Sequence, residues 1–222
     1  MSLRRQIATL IRFELRDELR GGEVALVVLP FAVIALLTIP MAVGIDTPLL
    51  ERIGPGIYWS IVMLFGVLVT QRHSSLAPAA ARDMLRLSGV DPAARFAATT
   101  LATFILLLGF EVGAGLATVL LYNPSLSSWW WLAALLPLTA AGLAMIGTIG
   151  GNLVSGLQTR TSLAPLIVVP IAVPLLLGAA QATEGLRLGA GILRWVLLLA
   201  VVDTVLALAG VLTARPLEES AA

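Results

Sequence analysis

The chain has 222 residues, 59% of them hydrophobic and 12% charged, with a mean hydropathy of +0.98 and a formal net charge of +1. A soluble domain carries about 25% charged residues, so this composition excludes an ordinary soluble fold as well as a disordered or fibrous chain. The near-zero net charge argues against a nucleic-acid-binding protein, and continuous apolar runs argue against an outer-membrane barrel, whose strands alternate apolar and polar residues. The class that remains is all-α: a polytopic helical membrane protein.

In chain order, residues 1–23 predict an amphipathic helix lying on the membrane. Leu3, Ile7, Leu10, Ile11 and Leu15 share one face at helical spacing. Arg12, Arg16 and Arg20 form an i, i+4 stripe, and Glu14, Asp17 and Glu18 fall on a different side. Such a helix meets lipid headgroups and a protein partner together, or is a plain interfacial anchor. The polar stretch is too long and too acidic for a cleaved signal peptide. A span needs about 20 apolar residues, and six follow, at about 24–45, 53–70, 96–121, 129–149, 163–182 and 190–214. The loop at 71–95 is the longest polar connection. Within it 79–87 is rich in helix formers, and Gly89, Asp91 and Pro92 then break the pattern. It reads as a short helix shaped for a groove on a partner, or as a linker. Residues 215–222 form a tail.

Orientation follows from arginine, because cytoplasmic loops keep the positive residues. Eleven of the fourteen arginines fall on the side that holds both termini, which predicts cytoplasmic ends in a cell inner membrane. Trp59, Trp129, Trp130, Trp131 and Trp195 all open spans on the opposite side, the level that tryptophan favours.

Missing residue types narrow the chemistry. There is no Cys, hence no disulfide, thiolate metal site or thiol nucleophile, and the lone His73 leaves no histidine metal cluster. There is no Lys, and a P-loop needs one against the β- and γ-phosphates, so the chain has no Walker A motif. No residue is expected to be catalytic or to ligate a metal. Glu111 and Asp203 are the acids inside the six spans, and a charge at mid-bilayer costs about 2.5–3.5 kcal/mol. They read as a polar lining or as carboxyls that hydrogen-bond a neighbouring helix. Gly109 and Gly113, and Gly147 and Gly151, stand at the spacing that lets helices approach closely, within the chain or across a homodimer. Pro165, Pro170 and Pro174 mark the fifth span as a hinge or a fixed kink. His73, Met41 and Met63 carry nitrogen or sulfur donor atoms, but a solvated or packing role fits each better than ligation.

The segments Leu49–Trp59 (LLERIGPGIYW), Ala164–Ala182 (APLIVVPIAVPLLLGAAQA) and Ile11–Arg20 (IRFELRDELR) resemble the haem exporter membrane subunit family of cytochrome c maturation, CcmB, within the wider ABC-2 transporter clan. The resemblance extends to length, six spans and topology. It implies a non-catalytic subunit that couples ATP hydrolysis on a separate chain to movement of the membrane domain. The implied partners are a CcmA-like cytoplasmic ABC ATPase holding ATP and Mg, a second copy of the chain, CcmC- and CcmD-like haem-handling subunits, and membrane lipid. No cofactor is expected on this chain itself, haem belonging to the complex. The resemblance makes the 71–95 loop the coupling helix, with Arg72, Arg82, Asp83, Leu85, Arg86 and Leu87 at the ATPase contact. The loop departs from the family pattern: Gln71 stands where members usually have Glu, and Ala79–Ala81 cover the usual Asp-Gly region. An ABC-2 permease for a lipid or drug, and a non-transporting scaffold, are the alternatives.

Overall fold

A computed structural model of the chain describes residues 3–22, 24–44, 46–75, 91–125, 129–156 and 164–220. Every regular element among them is helical. They are α1 (Leu3–Gly21), α2 (Leu29–Val43, entered through a π-helical turn at Val24–Val28), α3 (Thr47–Ser75) and α4 (Pro92–Tyr122). After a 3-10 turn at Trp129–Trp131 come α5 (Leu132–Gly156), α6 (Ala164–Arg187) and α7 (Leu193–Ser220). Six stretches are long and apolar enough to cross a membrane: Val24–Val43, Thr47–Thr70, Pro92–Tyr122, Trp129–Asn152, Val168–Arg187 and Leu193–Thr213. The second and third begin earlier than the apolar runs alone suggest, because capped polar turns extend the helices. Asp91 caps α4 by accepting from the Ala93 N–H at 3.1 Å, with Pro92 in the first helical position, where its missing donor costs nothing. At the far end Asn123 closes α4 in the left-handed region, its N–H donating to the Val119 carbonyl.

The bundle is arranged around α5, which contacts α3, α4, α6 and α7. Its inner residues Leu135, Ala140, Leu143 and Ala144 are buried. Lipid gives helices no hydrophobic drive to associate, so close backbone approach and dispersion carry the packing. Glycines make that approach possible. Gly147 lies against Thr70 of α3, Gly142 against Leu175 of α6 and Asp203 of α7, and Gly150 against Val168 of α6. In α4, Gly113 seats the Leu29 side chain of α2, whereas Gly109 faces outward with nothing near it. Both predicted glycine pairs thus contribute a contact inside the chain. On the outer face, α7 presents Leu197, Val201, Val205, Leu208 and Leu212, and α4 presents Leu101, Ile105, Val112, Leu116 and Val119. In water such surfaces would be a liability, but in a bilayer they meet acyl chains.

The amphipathic α1 stands outside this bundle and packs on α4. Its row of Ile7, Leu10, Ile11 and Leu15 is half-buried there. The chain then turns at Gly22, whose φ of +63° is open to glycine and strained for other residues.

Candidate functional site

The end of the bundle where α3 and α5 begin and α4 and α6 end carries a polar cluster. Glu111, fully buried on α4, places Oε2 at 3.0 Å from the Thr139 hydroxyl of α5. That hydroxyl also lies 2.9 Å from the Leu135 carbonyl one turn back. A hydroxyl has one proton to donate. Either it donates to the Glu111 carboxylate, or it donates to Leu135 and accepts a proton from a neutral Glu111 carboxyl. The second arrangement avoids a bare charge in a medium that cannot solvate it. Glu111 Oε1 is buried with no hydrogen-bond partner among the described residues. From α3, the Tyr58 hydroxyl donates to the Glu111 backbone carbonyl at 3.1 Å. Trp59 meets Tyr58 edge-on at 4.8 Å between ring centroids, and its indole N–H donates to the Thr183 hydroxyl of α6 at 2.8 Å. Four helices are tied together in this way by two aromatic residues, two threonines and one acid.

The local sequence explains why α3 can do this. Gly54 leaves room for the Tyr122 side chain of α4, where a Cβ would lie 2.8 Å from the tyrosine Cβ. Tyr122, fastened by its hydroxyl to the Leu36 carbonyl of α2 at 2.7 Å, then closes the end of the bundle. Pro55 is buried one residue on, and Tyr58 and Trp59 follow one turn later on the inner side. Beside the cluster is a groove of about 210 Å³, lined by Pro55, Tyr58, Trp59, Gly115, Leu136 and Thr183 among others, with almost wholly apolar walls. The exposed α4 residues Val112, Leu116 and Val119 form one side of it, so it faces the bilayer.

Asp203, the second acid in the spans, lies on α7 and is 9% exposed. Both carboxyl oxygens lack a hydrogen-bond partner among the described residues, and Gly142 of α5 is the close neighbour. Asp203 and Glu111 meet α5 one turn apart, Asp203 opposite Gly142 and Glu111 opposite Thr139, with no hydrogen bond between the two carboxyls.

At the opposite end, Arg12 and Arg16 point outward from α1. Glu14 turns inward and accepts from the Thr99 hydroxyl of α4 at 2.9 Å. Glu18 is buried, and its Oε1 accepts from the Val24 N–H at 2.7 Å, bridging the break between α1 and the turn that enters α2. Asp17 and Arg20 belong to α1 with side chains outside the described residues. Arg72 sits in the last turn of α3, its side chain likewise outside them, and Arg82, Asp83, Leu85, Arg86 and Leu87 of the coupling loop lie outside them entirely. Among the described residues no three of His, Cys, Asp or Glu gather to hold a metal ion.

Sequence reasoning found Glu111 and passed over its partners. Thr139 meets Glu111, and likewise Thr183 meets Trp59 and Thr99 meets Glu14, but nothing in one sequence marks which threonine has a polar partner on another helix. Trp59, expected at the headgroup level, is buried about 18 Å along α3, at 1.5 Å per residue. Its signal was the paired Tyr58, since two adjacent aromatics this deep in a span need hydrogen-bond partners.

Residues 5–220, nearly the whole chain, match the family described as CcmB protein. The chain belongs to the CcmB family. Among its relatives, the Heme exporter protein B of Paracoccus denitrificans is 31% identical over 179 residues, covering 80% of this chain and 81% of that protein. That of Rhodobacter capsulatus is 30% identical over 174 residues, covering 78% and 79%, and that of Haemophilus influenzae 28% over 177 residues, covering 79% and 80%. In CcmB terms, the motif that suggested the resemblance, Leu49–Trp59, is the part of α3 that builds the polar cluster. Gly54, Pro55, Tyr58 and Trp59 each have a packing or hydrogen-bonding reason, while Gly56 faces open space.

Proposed function

We propose that the chain is the membrane subunit of an ABC-type haem exporter serving cytochrome c maturation, a multi-pass protein of the cell inner membrane with both termini in the cytoplasm. The observation that carries this reading is the family match over residues 5–220 on a bundle with six membrane-crossing helices. An even number of crossings returns the chain to its starting side, and the arginine bias makes that side the cytoplasm. Haem is the substrate of the complex, and this chain supplies coupling without chemistry of its own.

ATP is hydrolysed on a CcmA-like partner that holds Mg and docks on the 71–95 loop. Closure of the ATPase pushes that loop, which joins the ends of α3 and α4. Both helices run unbroken to the opposite end, α3 for 29 residues, or about 44 Å. There Tyr58 and Glu111 tie them to each other, while Trp59–Thr183 and Glu111–Thr139 tie them to α6 and α5. A displacement at the cytoplasmic end is therefore delivered to four helices at once. A second copy of the chain and CcmC- and CcmD-like subunits complete the assembly.

Co-expression with the cognate ATPase, purification through a tag on this chain and an ATP hydrolysis assay test the proposal. Stable copurification is expected, weakened by Asp83→Arg and Arg86→Glu. Failure of the ATPase to copurify in several mild detergents removes the coupling role and turns attention to a scaffold.

A further inference from the structure

The outward face of α1 carries an asymmetry that its sequence conceals. By composition the helix is mixed, with Arg12 and Arg16 interleaved with Glu14, Asp17 and Glu18. Folding turns two of these acids inward. Glu14 is committed to Thr99 and Glu18 to the Val24 N–H, both on the side toward the bundle. Among the described side chains of α1, Ala8, Thr9, Arg12, Phe13 and Arg16 lie on the exposed strip, and Phe13 is 71% exposed between its two arginines.

The depth of this strip follows from α4. Its 31 residues rise about 46 Å against a hydrocarbon core of about 30 Å, so several turns project beyond the core. The Glu14–Thr99 hydrogen bond fastens α1 two turns from the start of α4, near the end of that helix that bears the 71–95 loop. The exposed strip thus lies at headgroup level, where an aromatic ring meets the acyl boundary and guanidinium forks pair with phosphate oxygens.

We infer that Arg12, Phe13 and Arg16 form a binding site for an anionic phospholipid headgroup, selective against zwitterionic lipid. A zwitterionic headgroup brings its own cation to the two arginines, whereas an anionic one offers a net charge for them to neutralise. The site is independent of what the complex transports and requires only that the chain is in a bilayer.

The absence of native cysteine permits a direct test on the full chain. Phe13→Cys is labelled with a small fluorophore and reconstituted into vesicles of one fixed phosphatidylcholine–phosphatidylglycerol composition. In one preparation the bromine quencher is on phosphatidylglycerol, in the other on phosphatidylcholine. Quenching per bromolipid is expected to be about fivefold stronger from phosphatidylglycerol, the enrichment that roughly one basic residue's worth of surface attraction gives. Raised salt should erode it. Combining the label with Arg12→Gln and Arg16→Gln should bring the two lipids to parity, and Arg12→Lys with Arg16→Lys should keep most of the preference. A label at Leu208, on the lipid-exposed face of α7, should show none. Equal quenching by both lipids at position 13, no quenching by either, or a preference that survives the glutamine pair would each overturn the assignment.

Discussion

Glu111 shows how one residue is made tolerable in a bilayer. Its carboxyl is enclosed by α4 and α5, with the Thr139 hydroxyl at 3.0 Å and the Tyr58 ring on the carbonyl side. Glutamine reproduces the neutral carboxyl in shape and can still pair with Thr139. Glu111→Gln should therefore change the unfolding free energy of the detergent-solubilised chain by less than about 1 kcal/mol, the scale of an interhelical hydrogen bond in a membrane. Glu111→Ala removes the buried stem as well and leaves a void between α4 and α5. It should cost about 2–4 kcal/mol, as large-to-small core changes do. Denaturant titration of the two variants beside the wild type measures both. A large loss in Glu111→Gln would mean that the ionised carboxylate is what the structure requires. The acid was visible in the sequence because charges are rare in spans. Its partners were not, because a threonine that returns its proton to its own helix looks the same whether or not an acid stands opposite.

Among the elements, helix contacts depend on which glycines have a neighbour. Gly147 faces the Thr70 side chain so closely that an added methyl overlaps the threonine Cβ, an atom fixed to the α3 backbone. Gly147→Ala should destabilise the bundle by about 1–3 kcal/mol, the usual cost of overpacking. Gly109, on an exposed helical face with nothing within 4 Å, gives the opposite expectation. Gly109→Ala should be neutral or stabilise by up to about 1 kcal/mol through helix propensity. Thermal unfolding of both variants in one detergent decides it, and a destabilised Gly109→Ala would point to a homodimer contact at that face. The sequence showed two glycine pairs at the same spacing and gave no means of telling a packed position from an open one. At the α1–α2 junction the same limit applies to Glu18, which sequence periodicity puts on one side with Glu14 and Asp17. The tight turn at Gly22 instead brings the unpaired N–H of Val24 within its reach.

At the scale of the whole molecule, the six crossings and the arginine distribution predict a topology that single cysteines can report, since the chain has none of its own. Cysteines at Phe13 and Ser75 should react with a membrane-impermeant maleimide only when the cytoplasmic face is opened. Cysteines at Pro124 and Leu188 should react in intact cells. The reverse pattern would invert the protein and place the 71–95 loop away from any cytoplasmic ATPase. The same view explains why α7 contributes so few buried residues: its inner edge, with Leu199, Asp203 and Gly210, meets the bundle, and its remaining faces meet lipid.

The sequence by itself determined that this is a six-span helical membrane protein with an amphipathic N-terminal helix and no ATP-hydrolysing motif. Those properties follow from composition, hydrophobic run length and residue absence, which are local and additive along the chain. Its family was legible too, since Gly54, Pro55, Tyr58 and Trp59 fall close together in one stretch of α3. Only the tertiary structure decided which polar residues meet. Glu111 with Thr139, Trp59 with Thr183 and Glu14 with Thr99 are pairs far apart in sequence. Helix periodicity fixes which face a residue occupies, but which helix covers that face depends on the packing of the whole bundle. The same packing turned Glu14 and Glu18 of a mixed-charge helix inward and left Arg12 and Arg16 exposed.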